Sequence, residues 1–368
     1  MGPDEKQLIS PMQLMGLLVL SRITPITVAF PLLSGTEKPQ DAWIASLAGT
    51  LLAVPLVLLV VKLSLRHPGR TVIQYSQDVL GPLFGKLVGS LLAFYWLLTA
   101  ADVARALGEA YVGGIMPETP MIVFLLTALL LGALTARCGI EVVGRMGEGA
   151  AYISLIFLLI VSILPYDLMR FENLRPFLAG GVAGLVRPVS IALAFFMQFL
   201  VLGMIVPCLN RPEKAPAFSL YSVLIGGFVL VWMSVVLVMV FGNRASALFL
   251  PAYALGRVIS IAHFLERIEA IILGVFTVGS LIKIALFLWG AATALQQLLG
   301  LSENRCLFYP LAAVAANLGI LGFRDYLEFT TFFLRSWPVF SNLMTITIIA
   351  TLYVGSFLKS KKARRERS

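Results

Sequence analysis

Charged residues are scarce in this sequence, 13% of 368, against about a quarter in soluble domains. Long stretches hold no Asp, Glu, Lys or Arg at all, among them 42–61, 119–136, 149–166, 188–210, 215–243, 306–323 and 336–358. An apolar helix of about 20 residues crosses roughly 30 Å of hydrocarbon, and a soluble core helix is rarely apolar on every face for that length. A water-soluble domain is therefore excluded. The short alternating segments of a membrane β-barrel are missing too. Cysteine is limited to Cys138, Cys208 and Cys306, with no CxxC pair, so neither a disulfide framework nor a zinc site is indicated. Histidine is limited to His67 and His263. HExxH and GxSxG are absent, and the glycines before Lys86 have the wrong spacing for a P-loop. No nucleophile, metal ligand set or cofactor motif can be nominated, and the chain is not expected to be an enzyme.

What is present is hydrophobic residue, 59% of the chain, with a mean hydropathy of +0.93. The reading is an all-α polytopic membrane protein of about ten spans. The expected bounds are 10–33, 41–63, 84–111, 120–136, 140–164, 184–209, 215–241, 263–299, 305–321 and 337–358. No signal peptide is evident, and the first span is expected to insert and stay. Two amphipathic segments, 71–81 before span 3 and 250–262 before span 8, occupy corresponding places. They suggest five spans repeated, with inverted topology because five is odd. One domain would cover 1–358, with halves of about 10–164 and 184–358 and a basic tail over 359–368. The net charge of +9 sits largely in that tail and in the 62–70 turn. Such basic loops mark the cytoplasmic side, which gives N-in and C-in; without a folded basic domain, nucleic acid is not the partner.

Polar residues inside such spans are expensive and usually functional. In span 1, Pro25 has no N–H and would deprive the Ser21 carbonyl of its helical donor, with Thr24 and Thr27 beside it. An ordinary proline kink is the bland reading; a broken helix whose free ends bind a zwitterion is the functional one. Span 3 carries Tyr95, Thr99 and Asp102 on one face. Arg105 stands three residues from Asp102 and four from Glu109, either a self-neutralising ladder or a solvated pair near the headgroups. Span 5 opens with Glu141, Arg145 and Glu148 in the same acid–base–acid spacing, an interfacial ladder or a latch, among Gly144, Gly147 and Gly149, which allow a helix to approach closely. In span 6, Phe195, Gln198 and Phe199 suit an apolar side chain with one amide; lipid or core packing is the alternative. Span 8 opens with Glu266 and Glu269 and holds Lys283 between long apolar runs. Glu269 and Lys283 share a face about 21 Å apart, so Lys283 must find another carboxylate, a carbonyl or water.

The order of several short motifs is similar to that of a known family. Ile9-Ser10-Pro11-Met12-Gln13-Leu14 opens span 1, and Asp41-Ala42-Trp43-Ile44 opens span 2. Gly139-Ile140-Glu141-Val142-Val143-Gly144-Arg145 opens span 5, Val206-Pro207-Cys208-Leu209-Asn210 closes span 6, and Phe264-Leu265-Glu266-Arg267-Ile268-Glu269-Ala270 opens span 8. With these the chain resembles the spore germination permeases, the B subunits of germinant receptors, within the amino acid–polyamine–organocation superfamily. The resemblance implies a LeuT-like fold of two inverted five-helix repeats, with helices 1 and 6 discontinuous. It implies a small germinant, usually an amino acid, held among spans 1, 3, 6 and 8, and partnership with A and C subunits in the inner membrane of a bacterial spore. Three departures stand out. Arg22, Thr24 and Pro25 occupy the place of a glycine-rich break. Span 6 has no glycine between Pro188 and Leu202. Span 5 has no lysine, only Arg145 near its start.

The functional expectation is a germinant-sensing, permease-like subunit. Thr24, Pro25 and Thr27 would hold the ligand's head, and Tyr95, Thr99, Phe195, Gln198 and Phe199 its side chain. Asp102, Arg105, Glu109, Glu141, Arg145, Glu148, Glu266, Glu269 and Lys283 would serve gating or ion pairing. The alternatives are a proton-coupled amino-acid transporter and a ligand-free membrane scaffold.

Overall fold

The computed structural model describes residues 8–24, 38–178, 180–248, 250–259 and 268–365. Among them seven helices are long and apolar enough to cross a bilayer, and three shorter apolar helices accompany them: Pro11–Ile23, Met121–Arg137 and Arg305–Leu321. Span 1 begins at Pro11, where a proline costs nothing because its N–H would be unpaired anyway. Ser10 and Gln13 close a capping box there, each side chain serving the other's backbone N–H. The helix holds through Ile23, with Thr24 still in the right-handed region. Pro25, Thr27 and Glu266 lie outside the described residues.

Span 2 is Ala42–Arg66. Span 3 is Pro82–Gly114, span 4 Met121–Arg137 and span 5 Ile140–Ile163. Span 7 is Ala215–Phe241 and span 8 is described over Ile268–Leu299. Span 9 is Phe308–Leu321, entered through a short 3-10 turn. Both amphipathic segments are helical, over Val72–Leu80 and Pro251–Val258. The first has a Thr71–Gln74 capping box and ends at Gly81, whose φ of 83° suits glycine.

Span 6 departs from a continuous α-helix, as the resemblance implies, and span 10 departs from its expected bounds. Span 6 is α-helical over Gly181–Met197, turns 3-10 over Gln198–Val201 and resumes as a short α-helix over Leu202–Ile205. Its α-helical bonding is thus interrupted with no glycine at the spot. The helix of span 10 starts earlier than 337. Tyr326–Thr331 leads into a π-helical turn, Phe332–Ser336, and then into Trp337–Arg365. Glu328 and Arg335 mask this extension from a hydropathy reading. Asp325 caps its start by accepting from the Glu328 N–H.

The principal helix contacts have a symmetry of their own. Span 1 packs on spans 5 and 7, and span 6 packs on spans 10 and 2. Span 4 packs on span 8, as span 9 does on span 3. Span 2 packs on span 7 and span 3 on span 8. Exchanging each span with the one five places along maps these pairs onto themselves, the pattern of two copies of a five-helix unit, whereas the contact of span 5 with span 8 has no comparable counterpart among the described residues.

Close crossings depend on small residues. At Gly147 an added Cβ would stand 2.4 Å from Leu17 Cδ2, which fixes where span 5 crosses span 1. Gly144 also faces span 1, through Ile9, whereas Gly149 faces open space. The first and fourth quoted motifs meet directly: the Ile9 N–H donates to the Cys208 carbonyl at 2.9 Å, and the Asn210 N–H to the Ile9 carbonyl at 3.1 Å. Asp41 accepts from the Leu178 N–H at 2.8 Å, which ties the start of span 2 to the loop before span 6.

Candidate functional site

The polar centre of the bundle lies where spans 1 and 8 cross. Residue 25 is proline, so the Ser21 carbonyl cannot receive the N–H that an α-helix would supply four residues on. The Lys283 ammonium supplies a donor instead, with Nζ 3.0 Å from Ser21 O. Lys283 is 2% exposed and sits mid-way along span 8. This answers what a lysine between two long apolar runs does: it binds a backbone carbonyl on the neighbouring helix. Thr24 packs beside the same crossing. Its hydroxyl donates to the Leu20 carbonyl at 2.7 Å, and a Cβ at Gly279 of span 8 would fall 2.6 Å from that hydroxyl oxygen.

Two further charged side chains converge on Lys283. Asp102 of span 3, 3% exposed, lies within its electrostatic reach. Neither carboxylate oxygen of Asp102 has a hydrogen-bond partner. Arg22 of span 1, 1% exposed, is also within reach of Lys283. Its guanidinium carbon lies 4.4 Å from the Phe196 ring centre and 5.6 Å from that of Phe195, but none of its three nitrogens has an acceptor. The Gln198 side-chain oxygen, in the 3-10 turn of span 6, is likewise buried without a partner. Buried polar groups are normally satisfied, so such a concentration at one crossing is unusual.

The other residues expected around a ligand are placed more diversely. The Tyr95 hydroxyl pairs with the Ser341 hydroxyl at 2.8 Å, and its ring stacks on Trp337 at 5.4 Å. Ser341 in turn donates to the Ala194 carbonyl at 3.2 Å, which joins spans 3, 6 and 10. The Thr99 hydroxyl is satisfied by its own helix, through the Tyr95 carbonyl at 2.8 Å. Phe195 stacks on Phe333 at 6.1 Å, and Phe199 meets Phe196 edge-on at 5.8 Å.

Of the charged candidates, Arg105 turns to Glu109 and away from Asp102. Its Nη2 lies 2.8 Å from the Glu109 carboxylate, and its Nη1 donates to the Gly319 and Phe323 carbonyls at 2.8 and 3.2 Å. With side chains 3% and 15% exposed, this pair is buried rather than solvated. It secures the end of span 9 to span 3. Arg145 pairs with Glu141 at the surface, while Glu148 is half-buried where span 5 crosses Gly16. Glu269 is half-buried beside Gly256 of the second amphipathic helix.

Reading the spans one at a time passed over Arg22 as a site residue, and with it Ser341 and Trp337. The signal for Arg22 was available: it is the sole charge between Lys6 and Glu37, the same criterion that singles out Lys283. For Ser341 and Trp337 no signal exists short of the fold, because serine and tryptophan are common in lipid-facing helices.

A family profile described as spore germination protein matches residues 8–321. Spore germination protein KB of Bacillus subtilis (strain 168) is 24% identical over 370 residues, covering 99% of this chain and 98% of that protein. Spore germination protein YndE of the same organism is 27% identical over 210 residues, 56% of this chain, and that match spans 57% of the relative's length. Among solved structures, the fold is similar to a bromovinylhydantoin-bound, closed form of Mhp1, a nucleobase-cation-symport-1 family transporter. The TM-score is 0.64 at 15% identity, covering 92% of this chain and 78% of that one. It is also similar to a Na+-coupled sialic acid symporter in a substrate-bound outward-open state, with a TM-score of 0.65 at 13% identity over 96% and 80% of the two chains. At such identities the likeness is one of fold alone, and that fold is the LeuT-like transporter fold.

Proposed function

This chain belongs to the spore germination protein family, and from that premise we propose that it is the germinant-sensing, permease-like B subunit of a spore germinant receptor. It binds a small germinant, an amino acid, at mid-membrane beside the end of the described part of span 1. Phe195, Gln198 and Phe199 of span 6 and Tyr95 of span 3 receive the ligand's side chain. The two five-span halves, about 10–164 and 184–358, shift against each other on binding, and A and C subunits in the spore's inner membrane read the shift. The ends of the chain and the basic 359–368 tail face the cytoplasm, in keeping with the distribution of Lys and Arg. A ligand can move such an equilibrium only by its differential affinity for the two arrangements, so the site must lie where the halves meet.

The observation that carries this reading is the polar crossing of spans 1, 3, 6 and 8. Lys283 of the second half holds the Ser21 carbonyl of the first. Within electrostatic reach of Lys283, buried atoms of Arg22 and Asp102 have no protein partner among the described residues, and neither has the Gln198 oxygen in the 3-10 turn of span 6. A scaffold has no use for unsatisfied polar groups at that depth, whereas a permease-like core with a polar guest does.

The test is germination of spores carrying Gln198→Leu, with protein level verified by immunoblot. The concentration of germinant needed for half-maximal response should rise by about tenfold, the worth of one buried hydrogen bond. An unchanged curve for Gln198→Leu combined with Thr27→Val would favour a ligand-free scaffold. Concentrative, pH-gradient-driven uptake of labelled amino acids by proteoliposomes would favour a symporter.

A further inference from the structure

Arg22 is the most anomalous side chain in the described structure. Its guanidinium is 1% exposed, and none of its nitrogens has an acceptor. A guanidinium carries five N–H donors in a rigid plane, and an arginine so placed normally snorkels to the interface or pairs with a carboxylate. Snorkelling is prevented from behind: a Cβ at Gly226 of span 7 would stand 2.8 Å from Arg22 Cγ, so the stem is packed tightly against that helix. The head is held by the Phe195 and Phe196 rings. Ring faces attract a cation but accept none of its in-plane hydrogen bonds.

Counting charge at the crossing sharpens the point. Lys283 and Asp102 lie within each other's electrostatic reach and offset one another. Arg22 makes neither an ion pair nor a hydrogen bond with any carboxylate among the described residues. The cluster is thus one negative charge short, and its unmet donors form a planar fork. We infer that Arg22 is the receptor for a guest's carboxylate, gripped through two parallel N–H···O bonds between span 1 and the Phe195–Phe196 end of the first helix of span 6. This rests on the germinant-sensing reading and deepens it. The guest's acidic group is recognised by a side chain, and ligands without a carboxylate are excluded. A neutral nucleoside or sugar leaves the charge unmatched. An amino acid matches it and brings an ammonium that the unpartnered Asp102 or Gln198 oxygens can accept.

The full-length chain in lipid nanodiscs, in carboxylate-free buffer, is challenged with the twenty proteinogenic amino acids one at a time and with neutral nucleosides and sugars. Binding is read as a shift of thermal unfolding midpoint and then titrated. Any amino acid that binds is retested as its carboxamide and as its decarboxylated amine, and against Arg22→Gln and Arg22→Lys. At least one amino acid should bind, with its amide and amine weaker by about 30-fold, the worth of a charge-assisted pair. Arg22→Gln should lose a similar factor, and Arg22→Lys should recover part of it, because a lysine keeps the charge but not the fork. An amide that binds as well as its acid, or an Arg22→Gln chain with undiminished affinity, overturns the inference. If Arg22→Gln fails to fold, the acid-against-amide comparison on the parent chain still decides. Binding of a neutral nucleoside or sugar, with no amino acid bound, defeats the carboxylate inference yet leaves ligand sensing standing. Binding of nothing in the panel defeats both.

Discussion

Two buried arginines divide this molecule's polar chemistry between them. Arg105 and Arg22 are almost equally shielded, at 3% and 1% exposure. Arg105 has a carboxylate, two carbonyls at the end of a helix and two ring faces. Among the described residues Arg22 has two ring faces and no hydrogen-bond acceptor. The first is a structural clamp with all three of its nitrogens partnered within the fold, at a helix C-terminus where the dipole also favours a cation. The second is fixed in place with its hydrogen bonds still to be made. Burial alone therefore does not distinguish structure from function here; satisfaction of the buried group does.

The largest expected effect is on the clamp. Arg105→Met strands the Glu109 carboxylate and two carbonyls, and should cost about 3–5 kcal/mol, seen as a marked fall in the thermal unfolding midpoint of the purified protein. Lys283→Met comes next, at about 1–3 kcal/mol by the same assay, because the Ser21 carbonyl loses its donor and Asp102 its counter-charge. Arg22→Met should be neutral or stabilising by about 1 kcal/mol, since it removes an unpaired buried charge at similar volume. A loss as large as that of Arg105→Met would erase the distinction between the two arginines. Arg145→Ala breaks only the exposed pair with Glu141 and should change stability by less than about 1 kcal/mol.

The smallest effect is one of pH, at the face bearing the 62–70 turn. There His67 stacks on Tyr75 at 5.0 Å and meets the Ser356 hydroxyl at 3.4 Å. Burial holds the imidazole below its ordinary 6.5; Asp78 opposes the shift, and Lys359, Arg70 and Arg66 add to it. A histidine with a lowered folded value protonates more readily in the unfolded chain. Its stabilising contribution is complete above pH 6.5 and falls away as pH drops below that value. The unfolding midpoint should slope gently downward with acid below pH 6.5, and His67→Gln should flatten that slope.

Much of the architecture was legible because charge punctuates the apolar runs. Span 7 runs over Ala215–Phe241 as expected, since Arg211, Pro212, Glu213 and Lys214 leave no doubt where it starts. Span 10 was misjudged at its start because Glu328 and Arg335 interrupt hydropathy without interrupting the helix. The 3-10 turn at Gln198 was invisible because no glycine or proline marks it. Spacing allowed Arg105 to face Asp102 or Glu109 equally well; the choice was made by Gly319 and Phe323, more than two hundred residues away. Pro25 has no N–H to give the Ser21 carbonyl, but nothing local could reveal that Lys283 would serve it. The candidate site is thus half local chemistry and half tertiary placement, and the tertiary half separates Arg22 from Arg105.

The most direct test of a guest site at the span 1 crossing is the germination dose–response of spores whose Arg22→Met protein accumulates to the parental level. The probe is an amino acid that triggers the parent through this receptor. The half-maximal concentration should rise by about tenfold or more, or the response should vanish, with thermal stability intact. A curve superimposable on the parent's would contradict a carboxylate seat at Arg22 and leave that arginine as no more than a buried cation between two phenylalanines.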